Sequence, residues 1–248
     1  MKRLFDDVLA AFQFLTRLPV APKQFRSDSD ARAMTFFPVV GLAIGFLGSL
    51  LNHLLVPHLN RILSALAVLT FFVLATNALH EDGLADAVDG LGGGWSREQA
   101  LTIMRDSRIG SFGALAIALS LLARLLLLSS LPLQRFTAYL VSAHVLCRWT
   151  ALPLSFFLPS ARGSEGLGAQ VARKVSSLSL VVGTGTGFGF VAFALRAESW
   201  LPIATASAIT LASGWYFWRR LGGMTGDCFG AANQVAEIAV YLCGVWNV

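Results

Sequence analysis

The chain has 248 residues, 55% of them hydrophobic and only 13% charged, against about 25% charged in ordinary soluble domains. Apolar runs of about 20 residues recur from end to end, which makes lipid the expected solvent and leaves no stretch for a separate soluble domain. A net charge of +5 does not indicate a nucleic-acid binder, because the basic residues are scattered at helix ends and no basic stripe with interleaved aromatics occurs.

The N-terminal segment, residues 1–35, is not a cleavable signal, since Asp6 and Asp7 interrupt what would have to be its apolar core. Leu4, Phe5, Val8, Leu9, Phe12 and Leu15 fall on one helical face instead, which predicts an amphipathic helix lying on the membrane surface. Beyond it the hydropathy predicts spans over about 36–57, 62–80, 113–131, 136–158, 178–196, 200–217 and 231–247. The expected architecture is therefore all-α: a single polytopic membrane bundle of about seven transmembrane helices. It carries a carboxylate-rich loop at 81–112 and further long joins at 159–177 and 218–230.

With seven spans, the N-terminal segment and all three long joins share one side. That side carries 14 of the 19 Lys and Arg residues and the opposite side only Arg61, Arg135 and Arg196; Arg124 and Arg148 lie inside spans. The positive-inside rule places the long joins in the cytoplasm. Gly41 and Gly45 form a GxxxG pattern followed by Gly48, and Gly183, Gly185, Gly187 and Gly189 alternate in the fifth span. Neither run has the strand-then-helix setting of a phosphate loop, so both predict close helix packing. Cys147, Cys228 and Cys243 have neither a CxxC nor a zinc-ligand spacing and read as free apolar fillers.

The most informative stretch is His80-Glu81-Asp82-Gly83-Leu84-Ala85-Asp86-Ala87-Val88-Asp89-Gly90. If the second span continues as helix, Asp82, Asp86 and Asp89 project from one face with neighbouring Cβ atoms about 5–6 Å apart. Each adjacent pair then repels by about 3 kcal/mol at an effective dielectric near 20, so a cation is expected between them. Oxygen-only donors suit Mg²⁺ or Mn²⁺ and offer nothing soft for zinc or copper. The competing reading is a solvated acidic cap. Acids at a helix C-terminus oppose the macrodipole, which disfavours it, and Gly83 and Gly90 leave room for a bulky ligand.

Ile103-Met104-Arg105-Asp106-Ser107-Arg108-Ile109-Gly110 precedes the third span. Arg105 and Arg108 suit bidentate contact with phosphate oxygens, or else flank the membrane, and Asp106 between them is a further oxygen donor for a metal. On the same side, Gly223-Met224-Thr225-Gly226-Asp227-Cys228-Phe229-Gly230 opens the last span, where Gly226 and Gly230 expose backbone N–H groups to an anion. Asp227 there is either the helix cap or a fourth metal ligand. Arg148, inside the fourth span, is costly unless it meets a carboxylate or a phosphate in the bundle. Arg124 either does the same or pairs structurally, and Glu237 either faces the site or pairs with Arg148. His53, His58 and His144 are isolated in sequence and receive no chemistry.

The segments HEDGLADAVDG (80–90), IMRDSRIGSFG (103–113) and GMTGDCFGA (223–231) resemble the cobalamin synthase family, the adenosylcobinamide-GDP ribazoletransferases. FLTRLPV (14–20) and FFPVVGLAIG (36–45) are similar to that family as well. The resemblance, spread in order over nearly the whole chain, implies a Mg²⁺-dependent enzyme of the bacterial inner membrane. Such enzymes join adenosylcobinamide-GDP to α-ribazole or its 5′-phosphate and release GMP, late in vitamin B12 assembly; it leaves open whether other enzymes of that pathway are partners. It implies that Asp82, Asp86 and Asp89 hold the metal or activate the nucleophile, with Asp89 as the proton acceptor. Arg105, Arg108 and Arg148 would clamp phosphate oxygens.

Two rival readings stand beside this. A CDP-alcohol phosphotransferase would show DGxxAR followed by GxxxDxxxD, but here DGLAD lacks the arginine and Asp86 and Asp89 come too soon. A transporter would show an inverted repeat and midplane ionisable groups; no repeat is visible, and the carboxylates gather at one boundary.

Overall fold

The computed structural model describes residues 2–19, 29–163 and 175–246, and among these the only β-type pairing is an isolated bridge between Ser160 and Met224. The elements are α1 (Lys2–Leu15), α2 (Ser29–Ala33), a 3₁₀ turn (Met34–Phe36), α3 (Phe37–Leu55), α4 (Arg61–Ala75) and α5 (Leu79–Gly93). There follow α6 (Arg97–Ile103), α7 (Ser111–Ser130), α8 (Leu133–Trp149), α9 (Ala151–Phe157), α10 (Ser177–Leu195), α11 (Trp200–Leu221) and α12 (Gly226–Trp246).

The chain is a multi-pass helical membrane protein. Among the described residues, five stretches are long and apolar enough to cross a bilayer: Ala31–Leu55, Ser111–Ser130, Leu133–Phe157, Ser177–Glu198 and Gly226–Trp246. Burial separates inner from outer helices. The Leu133–Phe157 stretch is 83% buried, whereas Ser111–Ser130 and Ser177–Glu198 are only 22% buried and show Leu115, Leu119, Leu122, Val181 and Phe193 to the lipid. Helix α8 is thus the central post, with α3, α10 and α12 packed around it.

Three expectations need correction. The run at 62–80 is not one straight span: α4 stops at Ala75 and α5 restarts at Leu79, bent by 83° from it. Asn77 and Ala78 take the left-handed conformation at the break, with φ of 56° and 54°. That conformation costs an L-residue roughly 1–2 kcal/mol, and the turn is held from outside by the N–H of Arg17 on the Ala75 carbonyl, 2.9 Å away. Helix α11 has the length of a span but not the apolarity, because Ser, Thr, Gly and the Arg219–Arg220 pair dilute it. Among the described residues the count by length and composition is five spans, or six if α4 and α5 are one broken span, against the expected seven. Finally, 81–112 is mostly the helices α5 and α6, not a loop.

The N-terminal amphipathic helix forms as α1; it buries Ala11 and Leu15 and exposes Leu4 and Phe5. The GxxxG expectation also materialises: α3 lies against α8 where Gly41 faces the His144 carbonyl and Gly45 faces Val141, and Gly48 faces the Phe72 ring. In α10 only half of the alternating glycines pack. Gly183 and Gly187 face the bundle, while Gly185 and Gly189 look into open space, because a helix returns to one face every four residues rather than every two.

The three polar joins meet at one end of the bundle. Arg97 donates to the carbonyls of Leu221 at 2.7 Å and Ala161 at 2.9 Å, and Arg220 donates to those of Leu91 and Gly94, both at 3.0 Å. Met224 and Ala161 complete the junction through backbone bonds to Pro159 and Met224.

Gly41→Ala should lower the unfolding temperature in detergent, since overpacking of this kind costs roughly 1–3 kcal/mol. Gly189→Ala, with nothing near its Cβ position, should leave it unchanged or raised. Equal effects would remove the role given to the α3–α8 contact.

Candidate active site

At the joined end, α5 crosses α12 with glycine against glycine. A Cβ on Gly83 would sit 3.2 Å from the Gly230 Cα, and one on Gly230 would sit 3.0 Å from the Gly83 Cα. This crossing brings the acids of α5 beside Asp227 in the first turn of α12. Gly230 therefore serves helix packing, and both Gly226 and Gly230 line the adjoining cleft. The space beside Gly90 is likewise filled, by Met104 and Ala100.

The four acids of α5 have divided roles. Glu81 is buried and accepts from the Arg124 Nη2 at 2.8 Å and from Gln234 at 3.2 Å; Gln234 in turn accepts from Ser120 at 2.8 Å. Glu237 lies 3.8 Å from the other side of the same guanidinium. Arg124 is thus a structural pair inside the bundle, and Glu237 belongs to it rather than to Arg148. Asp89 is buried too: its two oxygens accept the N–H groups of Gly110 at 2.7 Å and Gly113 at 2.8 Å. It supplies from another helix the cap that Gly110 cannot provide for α7. Both of its oxygens are engaged, which is a poor state for a proton acceptor.

Asp82 and Asp86 are the remaining two. Asp82 is exposed and Asp86 half-buried, and neither carboxylate has a hydrogen-bond partner among the described residues. Asp86 lies within electrostatic reach of Asp82, Asp227 and Asp89, with Arg162 as the balancing cation. Because Glu81 and Asp82 sit in the first turn of α5, the helix dipole supports acids here. The C-terminal placement expected from the sequence is reversed by the break at Asn77–Ala78.

Asp227 shares one oxygen, Oδ2, with Arg162 at 3.0 Å and Thr225 at 3.1 Å, leaving Oδ1 open. The residue capping α12 is Thr225, whose hydroxyl accepts from the Cys228 N–H at 3.3 Å; Asp227 is not the cap. Asp106, by contrast, is held by its neighbour. Arg108 grips it at 2.6 Å, and these hydrogen bonds pull its carboxyl down to about 2, so it stays ionised and paired rather than facing the α5 acids. Arg105 and Arg108 are exposed at the α6–α7 turn. Arg148 is buried against His144, with its Nη1 2.8 Å from the imidazole Nδ1 and 3.5 Å from Cys147. Among the described residues it pairs with no carboxylate.

A cleft of about 160 Å³ runs inward from Asp82 and Asp227 to Arg148. Phe14 and Leu15 of α1 and Met34 and Phe37 at the head of α3 form its apolar wall. Sequence reasoning missed Arg162, which it counted only as an orientation marker, and His80 and Asn233 in the cleft. Arg97 and Arg220 were missed as structural ties for the same reason. For His80 the signal was available, since it adjoins the acidic segment; Asn233 carried none. Asp82 and Asp227 line the cleft, and Asp86 lies within electrostatic reach of both. These donors are all oxygens, two of the carboxylates without a hydrogen-bond partner among the described residues and the third half-open, and such a set fits a hard divalent cation.

The sequence profile of the family described as cobalamin-5-phosphate synthase matches residues 7–245. An adenosylcobinamide-GDP ribazoletransferase of Albidiferax ferrireducens is 35% identical, over 98% of this chain and 98% of that protein. Proteins of the same name from Mesorhizobium japonicum and Ralstonia nicotianae are each 39% identical, over 97% and 93% of this chain and 93% and 91% of theirs. No solved structure matches.

Arg124→Leu should destabilise the protein strongly, by roughly 3–5 kcal/mol, because it leaves two buried carboxylates without their cation. Arg124→Leu combined with Glu81→Leu and Glu237→Leu should recover much of that loss in a detergent melting experiment. Asp89→Asn replaces one acceptor by a donor facing an N–H. It should expose the 104–112 turn to hydrogen exchange while leaving divalent-ion binding intact; loss of ion binding with normal protection would return Asp89 to the metal.

Proposed function

The chain belongs to the cobalamin-5-phosphate synthase family, and from that premise we propose that it transfers the cobinamide phosphoryl group of adenosylcobinamide-GDP to α-ribazole or its 5′-phosphate, with release of GMP. One observation carries the site assignment: of the four acids on α5, Asp82 and Asp86 have no hydrogen-bond partner among the described residues, and both lie within electrostatic reach of Asp227, which the glycine crossing brings beside α5. Mg²⁺, or Mn²⁺, held by Asp82, Asp86 and Asp227 would neutralise the diphosphate and the charge developing on the leaving group.

A ribose hydroxyl of the ribazole, other than the 5′ position that its 5′-phosphate form already occupies, attacks the phosphorus that carries the cobinamide. A new P–O bond forms, the bond bridging the two phosphorus atoms breaks, and GMP departs with that bridging oxygen. Asp86, half-buried and without a hydrogen bond of its own, takes the hydroxyl proton. This replaces Asp89, which holds the N-terminus of α7 and so positions the α6–α7 turn. Arg162 lies beside Asp227 to meet non-bridging oxygens, and Arg105 and Arg108 reach for them from the exposed turn. The phosphate contact first assigned to Arg148 passes to these residues, because Arg148 lies at the inner end of the cleft. The excess of Lys and Arg on the joined end supports a cytoplasmic active site in the bacterial inner membrane.

The test uses membranes supplied with adenosylcobinamide-GDP, α-ribazole and Mg²⁺, with GMP as the readout. Asp82→Asn and Asp86→Asn should each lower the rate by about a thousandfold or more, in the range expected when charge stabilisation and base catalysis fail, with membrane insertion intact. Near-normal turnover in either variant would remove the carboxylate assignment.

A further inference from the structure

The inner end of the cleft holds polar atoms that the transfer chemistry does not use. Asn233 is 5% exposed, His80 6% and Arg148 2%, and all three line the cleft. Among the described residues, the Oδ1 of Asn233, both ring nitrogens of His80 and the Nε of Arg148 have no hydrogen-bond partner. Leaving such buried groups unpaired is costly, so their convergence points to a ligand. His80 and Arg148 also border a second hollow of about 10 Å³ on the side of Glu81 and Arg124. Asn233 borders the cleft and not that hollow, and its amide is turned so that the nitrogen serves Cys147 and the oxygen stays open.

The open atoms are of mixed kind. Arg148 Nε donates, Asn233 Oδ1 accepts, and a neutral imidazole does one of each. A phosphate offers acceptors only and would leave the Asn233 oxygen unsatisfied. A group with hydroxyls and an aromatic ring nitrogen satisfies the whole set. The size agrees: a cavity of about 150 Å³ accepts one benzene-sized ring, whereas drug-sized ligands need roughly 300–1,000 Å³. At about 160 Å³ the enclosed space takes about one aromatic ring, the sugar lies at its open edge, and a corrin macrocycle must stay outside it. Phe14 and Phe37, with ring centroids 5.4 Å apart, give the aromatic wall such a ring needs.

We propose that the inner cleft seats the nucleoside acceptor, α-ribazole. Its benzimidazole ring lies against Phe14 and Phe37, and its ring nitrogen and ribose hydroxyls meet His80, Arg148 and Asn233. The attacking ribose hydroxyl then points outward past Asp82, which lines the cleft, toward Asp86. This assignment rests on the transfer reading above and adds a specificity role for Asn233 and His80, which select a nucleoside with an open ring nitrogen.

The experiment uses the full chain purified in detergent. It measures equilibrium binding of α-ribazole and, with GMP release, separate KM values for α-ribazole and adenosylcobinamide-GDP. Asn233→Leu keeps the side-chain size and removes the acceptor. It should raise the Kd and KM for α-ribazole by about tenfold, the effect of one buried hydrogen bond, and leave the KM for adenosylcobinamide-GDP unchanged. His80→Gln should act in the same direction. Phe14→Ala, on the half-buried wall of α1, serves as the second variant should Asn233→Leu fail to fold, and the same split in KM is expected. Turnover with unchanged ribazole constants in these variants, or equal losses for both substrates, overturns the seat and leaves the transfer reading standing. Wild-type protein that binds α-ribazole but releases no GMP overturns the transfer reading alone; one that does neither overturns both.

Discussion

Two helix backbones approach closely only where neither carries a side chain, and the candidate site depends on one such approach. Gly83 of α5 meets Gly230 of α12, so acids far apart in sequence come within electrostatic reach of each other. Lipid offers no hydrophobic force to draw helices together, so van der Waals contact at small residues must do it. The same device operates on the other side of the bundle, where Gly41 and Gly45 settle α3 against α8. One crossing builds the scaffold and the other builds the cluster.

A helix with four acids is an unlikely companion for an apolar bundle, and α5 stays there because its two ends are tied. At the inner end Glu81 shares Arg124 with Glu237, so two carboxylates balance one buried guanidinium. At the outer end Asp89 accepts the free N–H groups at the start of α7, which lie at the positive end of that helix dipole. Asp82 and Asp86 lie between these anchors and need no partner of their own. Their mutual repulsion is tolerated because the anchors hold α5 in place, and that repulsion is what makes the site receptive to a cation.

How far this was legible in the sequence follows from which signals are local. The apolar runs, the amphipathic α1 and the meeting of the long joins at one end could be read from composition and Lys/Arg placement. The Gly41–Gly45 packing could be read from spacing. The break at Asn77–Ala78 could not, because neither residue is a glycine or proline and the left-handed turn is imposed by tertiary contacts. Missing it reversed the polarity of the acidic helix. Spacing also showed that Asp82, Asp86 and Asp89 share a face, but not that Gly110 and Gly113 would occupy the third. Asn233 sits in an apolar run with no motif around it, and only its orientation toward the cleft distinguishes it.

The arginines around the site differ in how they are held, and this bears on how a charged substrate would be received. Arg162 is half-buried and already aligned by Asp227, so little ordering remains when an anion arrives. Arg108 is exposed and, among the described residues, paired only with Asp106, two positions before it in the chain. Water screens that pair strongly, so exchanging the carboxylate for a diphosphate oxygen loses little. Because Asp89 fixes the start of α7 directly after this turn, the exposed arginines can change partner while their backbone stays registered to α5. A fixed cation at the mouth and a releasable one above it suit a substrate that must enter charged and leave as GMP.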